Sequence, residues 1–350
     1  MTTGTAHHQR EDDRGRKPSV VFLFGPTATG KTALLKVLFG NDADGPAEII
    51  SADSMQVYRH MDIGTAKPTP EERAVLPHHL IDLKAPNEPY HVGEFVTRAE
   101  RLVHEITARG ALPIIAGGTA FYFNVFLHGL PGTPRASAET RAALQERLAQ
   151  EGLPELRREL EARDPESAAR IAVGDTYRIL RALEVLYQSG KPRSAFPVPA
   201  EPRRDMRILT IGLHRERTEL YARINARVGE MMAAGLPDEV RRLAAMGYAP
   251  PDPGMRAIGY REFFREPGSP SNRVAAPWTG GQGGEPWPPR APLRDLDGEL
   301  PAVTTEIQRN SRRYAKRQLT FFRKLPDVAW FEPEDVNTIT QVIRDFRRVV

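Results

Sequence analysis

Residues 19–39 read SVVFLFGPTATGKTALLKVLF. The first seven form an almost unbroken apolar run closed by Gly25, the pattern of a strand buried on both faces, and TALLKVLF repeats its apolar residues at helical spacing. Between them GPTATGKT (25–32) fits G-x-x-x-x-G-K-[ST] in full, in the strand-to-helix context that this motif needs. The residue types dictate the chemistry. Loop backbone over Gly25, Pro26, Thr27, Ala28, Thr29 and Gly30, with the helix N-terminus behind it, surrounds a phosphate. Lys31 lays a cation on that phosphate, and the Thr32 hydroxyl is a ligand for Mg2+. Such a loop reads phosphate oxygens only, so it leaves open whether they belong to ATP or to another polyphosphate.

Outward from this stretch, AEIISAD (47–53), LPIIAGG (112–118) and MRILTIGLH (206–214) repeat the strand pattern. Helix-like VGEFVTRAERLVHEITARG (92–110) and ERTELYARINARVGEMMAAG (216–235) lie among them. Strands separated by helices imply a parallel sheet whose C-terminal edge gathers the loops. From 132 to 202 the strand pattern gives way to TRAALQERLAQEG, PELRRELEARDP and TYRILRALEVLYQSG. The predicted fold class is therefore α/β, a P-loop NTPase-like core with a parallel sheet (19–131 and 203–350) plus a helical insertion domain (132–202). A charged leader (1–18) and a Pro- and Gly-rich stretch within the core (266–292) are expected to be disordered, since neither has apolar periodicity.

Composition narrows the function classes. Among 350 residues there is no Cys, which removes disulfides, thiolate zinc sites and thiol nucleophiles. No apolar run reaches the ~18 residues needed to cross a bilayer, and the start lacks a signal peptide's apolar stretch, so a cytoplasmic protein without membrane attachment is expected. The net charge of +4 is unevenly placed: residues 301–325 hold seven Arg and Lys against Glu306 alone. That run also carries Tyr314, Phe321 and Phe322. It suits phosphates bearing stackable bases, or equally a solvated helix face with core aromatics.

On the acceptor side, Asp53 ends the second strand and faces the loop cluster, either as a local turn or as a proton acceptor. Ser54, Gln56, Tyr58, Lys67 and the Gly64-Thr65 step follow it as a varied hydrogen-bonding stretch. Gly117-Gly118-Thr119 brings flexible backbone and a hydroxyl to the same edge. Arg223 and Arg227, four apart on one helix face, can reach one anion. The strand LPIIAGG ends in glycines where an NTP hydrolase carries an acid, which weakens that reading. A P-loop small-molecule or nucleoside kinase remains an alternative, as does a non-catalytic RNA-binding module. His78 and His79 have no third ligand at metal spacing and are read as structural.

The blocks GPTATGKT, ISADSMQVYRHMDIGTAKP, PHHLID, AGGTAFYF, DP..AA.I..GD..RILRALEV...SGKPRS, RAIGYRE and RRYAKRQLTFFR occur in one order across about residues 19–330. In order and spacing they resemble the tRNA dimethylallyltransferases, also called tRNA isopentenyltransferases. The resemblance implies transfer of a dimethylallyl group from dimethylallyl diphosphate, with Mg2+, to N6 of the adenosine at position 37 of tRNA, beside the anticodon. It also implies roles. Asp53 acts as general base on an amine whose lone pair is delocalised into the ring. Lys31, Thr119 and Arg227, with Arg223 alongside, meet the charge of departing diphosphate. Asp53, Ser54, Met55, Gln56 and Thr119 surround the flipped base. Arg141, Tyr177, Arg178, Ile179, Leu180, Arg181, Arg256, Ala257, Ile258, Gly259, Tyr260 and Arg261 contact the tRNA, the insertion at its anticodon stem. Arg312, Arg313, Lys316 and Arg317 supply contacts to its phosphates. Apart from the resemblance, a monomer is expected. Ser311, Phe321 and the 266–292 stretch depart from the family pattern, where Thr and Trp are usual at the first two.

Overall fold

A computed structural model describes residues 17–40, 45–197, 199–265 and 292–348. In chain order the elements are β1 (Ser19–Phe24), α1 (Lys31–Phe39), β2 (Ala47–Ser51), α2 (Pro70–Val75), β3 (His78–His79), α3 (Val92–Ala108), β4 (Leu112–Gly117) and α4 (Ala120–His128). Then come α5 (Ala138–Glu151), α6 (Leu153–Arg163), α7 (Pro165–Arg170) and α8 (Thr176–Ser189). The chain closes with β5 (Arg207–Leu213), α9 (Arg217–Ala233), α10 (Leu236–Ala245), α11 (Leu296–Phe322), β6 (Ala329–Phe331) and α12 (Val336–Arg348). Two compact units divide the chain: the described parts of Met1–Leu127, Arg203–Phe264 and Pro292–Val350, and those of His128–Pro202 and Arg265–Ala291. The division thus falls at Leu127 rather than Pro131. The expectations for 1–16 and 266–291 lie outside the described residues.

In the first unit the strands form one parallel sheet in the order β3-β2-β4-β1-β5-β6. Both faces are covered, which is why β1 and β4 read as continuous apolar runs rather than alternating ones. Phe22 and Phe24 pack on one face with Phe95, Phe123, Phe126 and Phe322, while Val21 and Leu23 pack on the other with Leu34, Leu38, Ile339 and Ile343. β3 and β6 are absent from the sequence reading. Both are short sheet edges held by pairing with one neighbour, so neither needs a long apolar run. His78 Nδ1 meets the Leu76 carbonyl at 2.6 Å, and His79 Nε2 meets Glu48 at 2.6 Å, which gives both rings structural partners.

The RAIGYRE block has a packing role. Glu239, buried on α10, accepts the amides of Asp62 (2.9 Å), Ile63 (2.8 Å) and Gly64 (3.2 Å) and the Tyr260 hydroxyl (2.6 Å). A Cβ on Gly64 would stand 2.5 Å from the Tyr260 ring, so only glycine lets the two segments close. Glu262, also buried, accepts Gly259 N (2.9 Å) and Asn310 Nδ2 (2.8 Å). Replacing Tyr260 with Phe should therefore cost about 1–3 kcal/mol, because Glu239 Oε1 loses its shorter bond and keeps only the Gly64 amide at 3.2 Å, which equilibrium denaturation would read as a lower midpoint at unchanged m.

The second unit is a small helical assembly around Leu144, Leu156, Leu160, Ile179, Leu183 and Leu186. Much of its family block is local architecture: Asp164 caps α7 through Ser167 N (3.0 Å) and holds Ser194 N (3.0 Å), and Asp175 caps α8 through Arg178 N (3.1 Å). Arg157, buried, donates to the Ala168 and Ile171 carbonyls at 2.7 Å each.

Candidate active site

The sheet order places the ends of β2, β4 and β1 side by side, so Asp53, the Gly117-Gly118-Thr119 turn and the phosphate loop meet at one edge. Close approach is built in. A Cβ on Gly117 would lie 2.3 Å from the Ala52 carbonyl, and one on Gly25 would lie 2.8 Å from the Leu213 carbonyl.

The phosphate loop turns through Ala28 (φ 64°) and Gly30 (φ 108°) into α1, where Lys31 and the exposed Thr32 occupy the first turn. Thr29 Oγ1 donates to the Pro26 carbonyl (2.7 Å), and Lys31 Nζ donates to those of Gly25 (2.8 Å) and Pro26 (2.9 Å). Three distant side chains brace the loop from outside. Arg215 Nε donates to Thr29 O (2.9 Å), Arg223 Nε to Ala28 O (3.1 Å), and Gln318 Oε1 accepts Thr27 N (3.1 Å). Arg227 lies 3.5 Å from Thr27 Oγ1.

The electrostatics reflect this proximity. Burial first, then the neighbouring Arg227, pushes the Lys31 ammonium down to about 7, against the opposing pull of Asp53. Burial likewise lowers Arg227, again opposed by Asp53. Tyr314 is pushed up to about 12 by burial and then by Asp53, and its hydroxyl interacts with Thr119 and Gln318. Asp53 is thus within electrostatic reach of both phosphate-side cations and of Tyr314.

Asp53 Oδ1 accepts Met55 N (2.8 Å) and Gln56 N (3.4 Å), so the local-turn reading of this residue holds and orients the carboxylate. Thr119 Oγ1 accepts Ser54 N (3.0 Å). Gln56 is held by Ser51 Oγ (3.0 Å) and by the Ala66 carbonyl (3.3 Å). Lys67 is a buried structural cation between Tyr58 O, Asp62 and Asp82. A cleft of about 780 Å3, walled by Ile63, Ala66, Pro68, Met231 and Ala234, has Arg227 on its lining.

Several expected tRNA contacts are corrected by burial. Ile179, Leu180, Ala257 and Tyr260 face the core, and Gly259 is enclosed, so these side chains support their exposed neighbours Tyr177, Arg178 and Arg256 instead. Arg141 is exposed, Ile258 half-buried, Arg181 is held by Glu184 and Pro134 O, and Arg261 by Glu262. On α11, Arg313, Lys316 and Arg317 are exposed, whereas Arg312 is engaged with Asn225 at 2.5 Å. The aromatics of that run are core: Phe322 stacks on Phe24 at 4.4 Å, and Phe321 packs beside it. Sequence reasoning missed Gln318, Arg215 and Glu239. The legible sign of Gln318 is its spacing, four residues from both Tyr314 and Phe322, a polar residue on the apolar stripe of a helix.

For a divalent ion, the first turn of α1 carries no acidic side chain, and Thr32 is its hydroxyl. That donor set fits Mg2+, which keeps most of its shell as water and substrate phosphate. Fold and site together define a P-loop enzyme in which the glycine-rich loop and an oriented carboxylate share one edge of the sheet. The IPP transferase family model matches residues 56–325. The chain belongs to this family. It is 44% identical over 333 residues to the tRNA dimethylallyltransferase of Symbiobacterium thermophilum, covering 93% of this chain and 94% of that one. With the tRNA dimethylallyltransferase of Syntrophobacter fumaroxidans it shares 42% over 330 residues, 93% of this chain and 87% of the relative. The crystal structure of the full-length tRNA isopentenylpyrophosphate transferase of Bacillus halodurans is similar at TM-score 0.60 and 36% identity, over 94% of this chain and 97% of that one.

Proposed function

We propose that this protein transfers the dimethylallyl group of dimethylallyl diphosphate to N6 of the adenosine at position 37 of tRNA, beside the anticodon. The observation that supports it most is the convergence at one sheet edge of Lys31, held on the loop, Arg227, beside Thr27, and the oriented carboxylate of Asp53, cationic groups for a diphosphate set against a carboxylate for an amine. The phosphate loop, Lys31 and Arg227 bind the diphosphate, with Arg223 bracing the loop. Asp53 takes the N6 proton as the carbon–nitrogen bond forms and the carbon–oxygen bond to diphosphate breaks. Thr119 holds Ser54 and, through it, the backbone beside Asp53. Thr32 would hold a Mg2+ ion, which would supply stabilisation of the leaving charge. Asp53 to Gln56 surround the flipped adenine, and Arg141, Tyr177, Arg178 and Arg256 meet the tRNA outside it. No helix among the described residues is long and apolar enough to cross a membrane. With a tRNA substrate, this supports a cytoplasmic enzyme. The test is direct: incubation with dimethylallyl diphosphate, Mg2+ and unmodified tRNA, followed by nucleoside mass analysis, should show the mass of one dimethylallyl group on adenosine. Unaltered nucleosides would refute the reading.

The exposed cations of α11 carry a separate prediction. Replacing Arg313, Lys316 and Arg317 with Ala should flatten the slope of log K for tRNA against log salt by roughly 0.7 per lost phosphate contact. Arg312, engaged with Asn225, should contribute less. A slope unchanged in the triple variant would detach α11 from the RNA.

A further inference from the structure

Gln318 sits on α11, far in sequence from the loops of the site, and is 4% exposed. Its amide is used in both directions. Oε1 accepts the Thr27 amide of the phosphate loop at 3.1 Å, and Nε2 donates to the Gly118 carbonyl at 2.6 Å. A Cβ on Gly118 would fall 2.6 Å from Nε2, so the turn after β4 is pressed against this side chain. One helical turn earlier, Tyr314 lies in the neighbourhood of Gln318 and Thr119. Thr119 in turn holds Ser54 N beside Asp53. One turn later, Phe322 stacks on Phe24, the residue before the loop. The same helix exposes Arg313, Lys316 and Arg317.

We infer that Gln318 is a positioning residue that sets the spacing between the diphosphate-binding loop and the Asp53–Thr119 side of the site, and so links the tRNA-facing helix to the reacting geometry. The inference rests on the proposed transfer reaction. Only a side chain with both a donor and an acceptor can join a backbone N–H on one loop to a backbone carbonyl on the other. Glutamine offers both in one plane. A buried amide so placed is costly unless both ends are paired, so it selects a single separation of the two loops. The leaving oxygen and the attacking nitrogen approach from opposite sides of one carbon, and that reaction is sensitive to the separation of the groups holding them.

The test uses the full chain with labelled dimethylallyl diphosphate and unmodified tRNA. Gln318→Met keeps length and volume but removes the amide, and it should lower kcat roughly 10- to 100-fold while KM for tRNA stays within about threefold. Gln318→Glu keeps size and polarity should the apolar side chain not fold. It retains an acceptor for Thr27 N but at neutral pH has no proton for Gly118 O. Its kcat relative to wild type should therefore rise as pH falls, because a protonated carboxyl regains the O–H donor. A purely structural role would give no such pH-dependent ratio. Variants within threefold of wild-type kcat, or a loss carried entirely by KM for tRNA, or a pH-independent ratio for Gln318→Glu, would overturn the inference. A wild-type protein that transfers no label would instead overturn the reaction itself, and the inference with it.

Discussion

Asp53→Asn should retain fold and diphosphate affinity and lose about 10²- to 10⁴-fold in single-turnover transfer. The amide is isosteric with the carboxylate, and its oxygen can still accept Met55 N and Gln56 N, so the turn after β2 survives. What it cannot do is take a proton from N6. The amine of adenine is a poor nucleophile until that proton leaves, so the loss belongs to the chemical step and not to binding. The variant also removes the negative charge that opposes the lowering of Lys31, so its diphosphate affinity is compared near pH 6, where that ammonium stays charged. Rapid-quench measurement with enzyme in excess isolates the step. A variant within a few-fold of wild type would remove Asp53 from the general-base role.

The second large effect concerns Lys31. Its ammonium is held down to about 7, chiefly by burial in the loop and then by Arg227. In the protein alone at pH 8 it is therefore mostly neutral, whereas a diphosphate beside it favours the charged form. Binding of dimethylallyl diphosphate at pH 8 should take up close to one proton at this residue, and the uptake should fade toward pH 6, where Lys31 is already charged. Affinity consequently falls as pH rises above 7. The stability linkage has the opposite sense. Between the folded value and the ordinary lysine value the unfolded chain binds more protons, so this group's contribution favours the folded state increasingly from pH 7 toward 10 and is lost as pH falls through 7. Calorimetry in two buffers of different ionisation enthalpy measures the uptake. Lys31→Met should abolish it and weaken diphosphate binding by roughly 10- to 150-fold, the worth of a hydrogen bond to a charged group. ATP should compete poorly with the allyl diphosphate in both proteins. Tight ATP binding with phosphate transfer would point to a kinase instead.

What could be read without coordinates was whatever depends on residues close in the chain. The phosphate loop is eight consecutive residues whose glycines, lysine and threonine have fixed places between a strand and a helix, so motif and context sufficed. The apolar runs of β1, β2, β4 and β5 were legible because a parallel sheet covered on both faces leaves them few polar positions. Asp53 was legible for a similar reason, since the end of a strand in such a sheet lies where the loops gather. The edge strands β3 and β6 escaped because two or three residues paired on one side carry no period of their own. Ile179 and Tyr260 looked like RNA contacts in a linear block, yet helix geometry and the buried carboxylate of Glu239 turn them inward. Gln318 shows the limit most plainly. Its partners, Thr27 and Gly118, are hundreds of residues away, and only the packing of Phe322 on Phe24 brings an amide from α11 between two loops of the sheet. Local sequence sets propensity and motif; which polar group meets which backbone across the core is decided by long-range packing, because a buried hydrogen bond forms only where the whole fold has already brought donor and acceptor together.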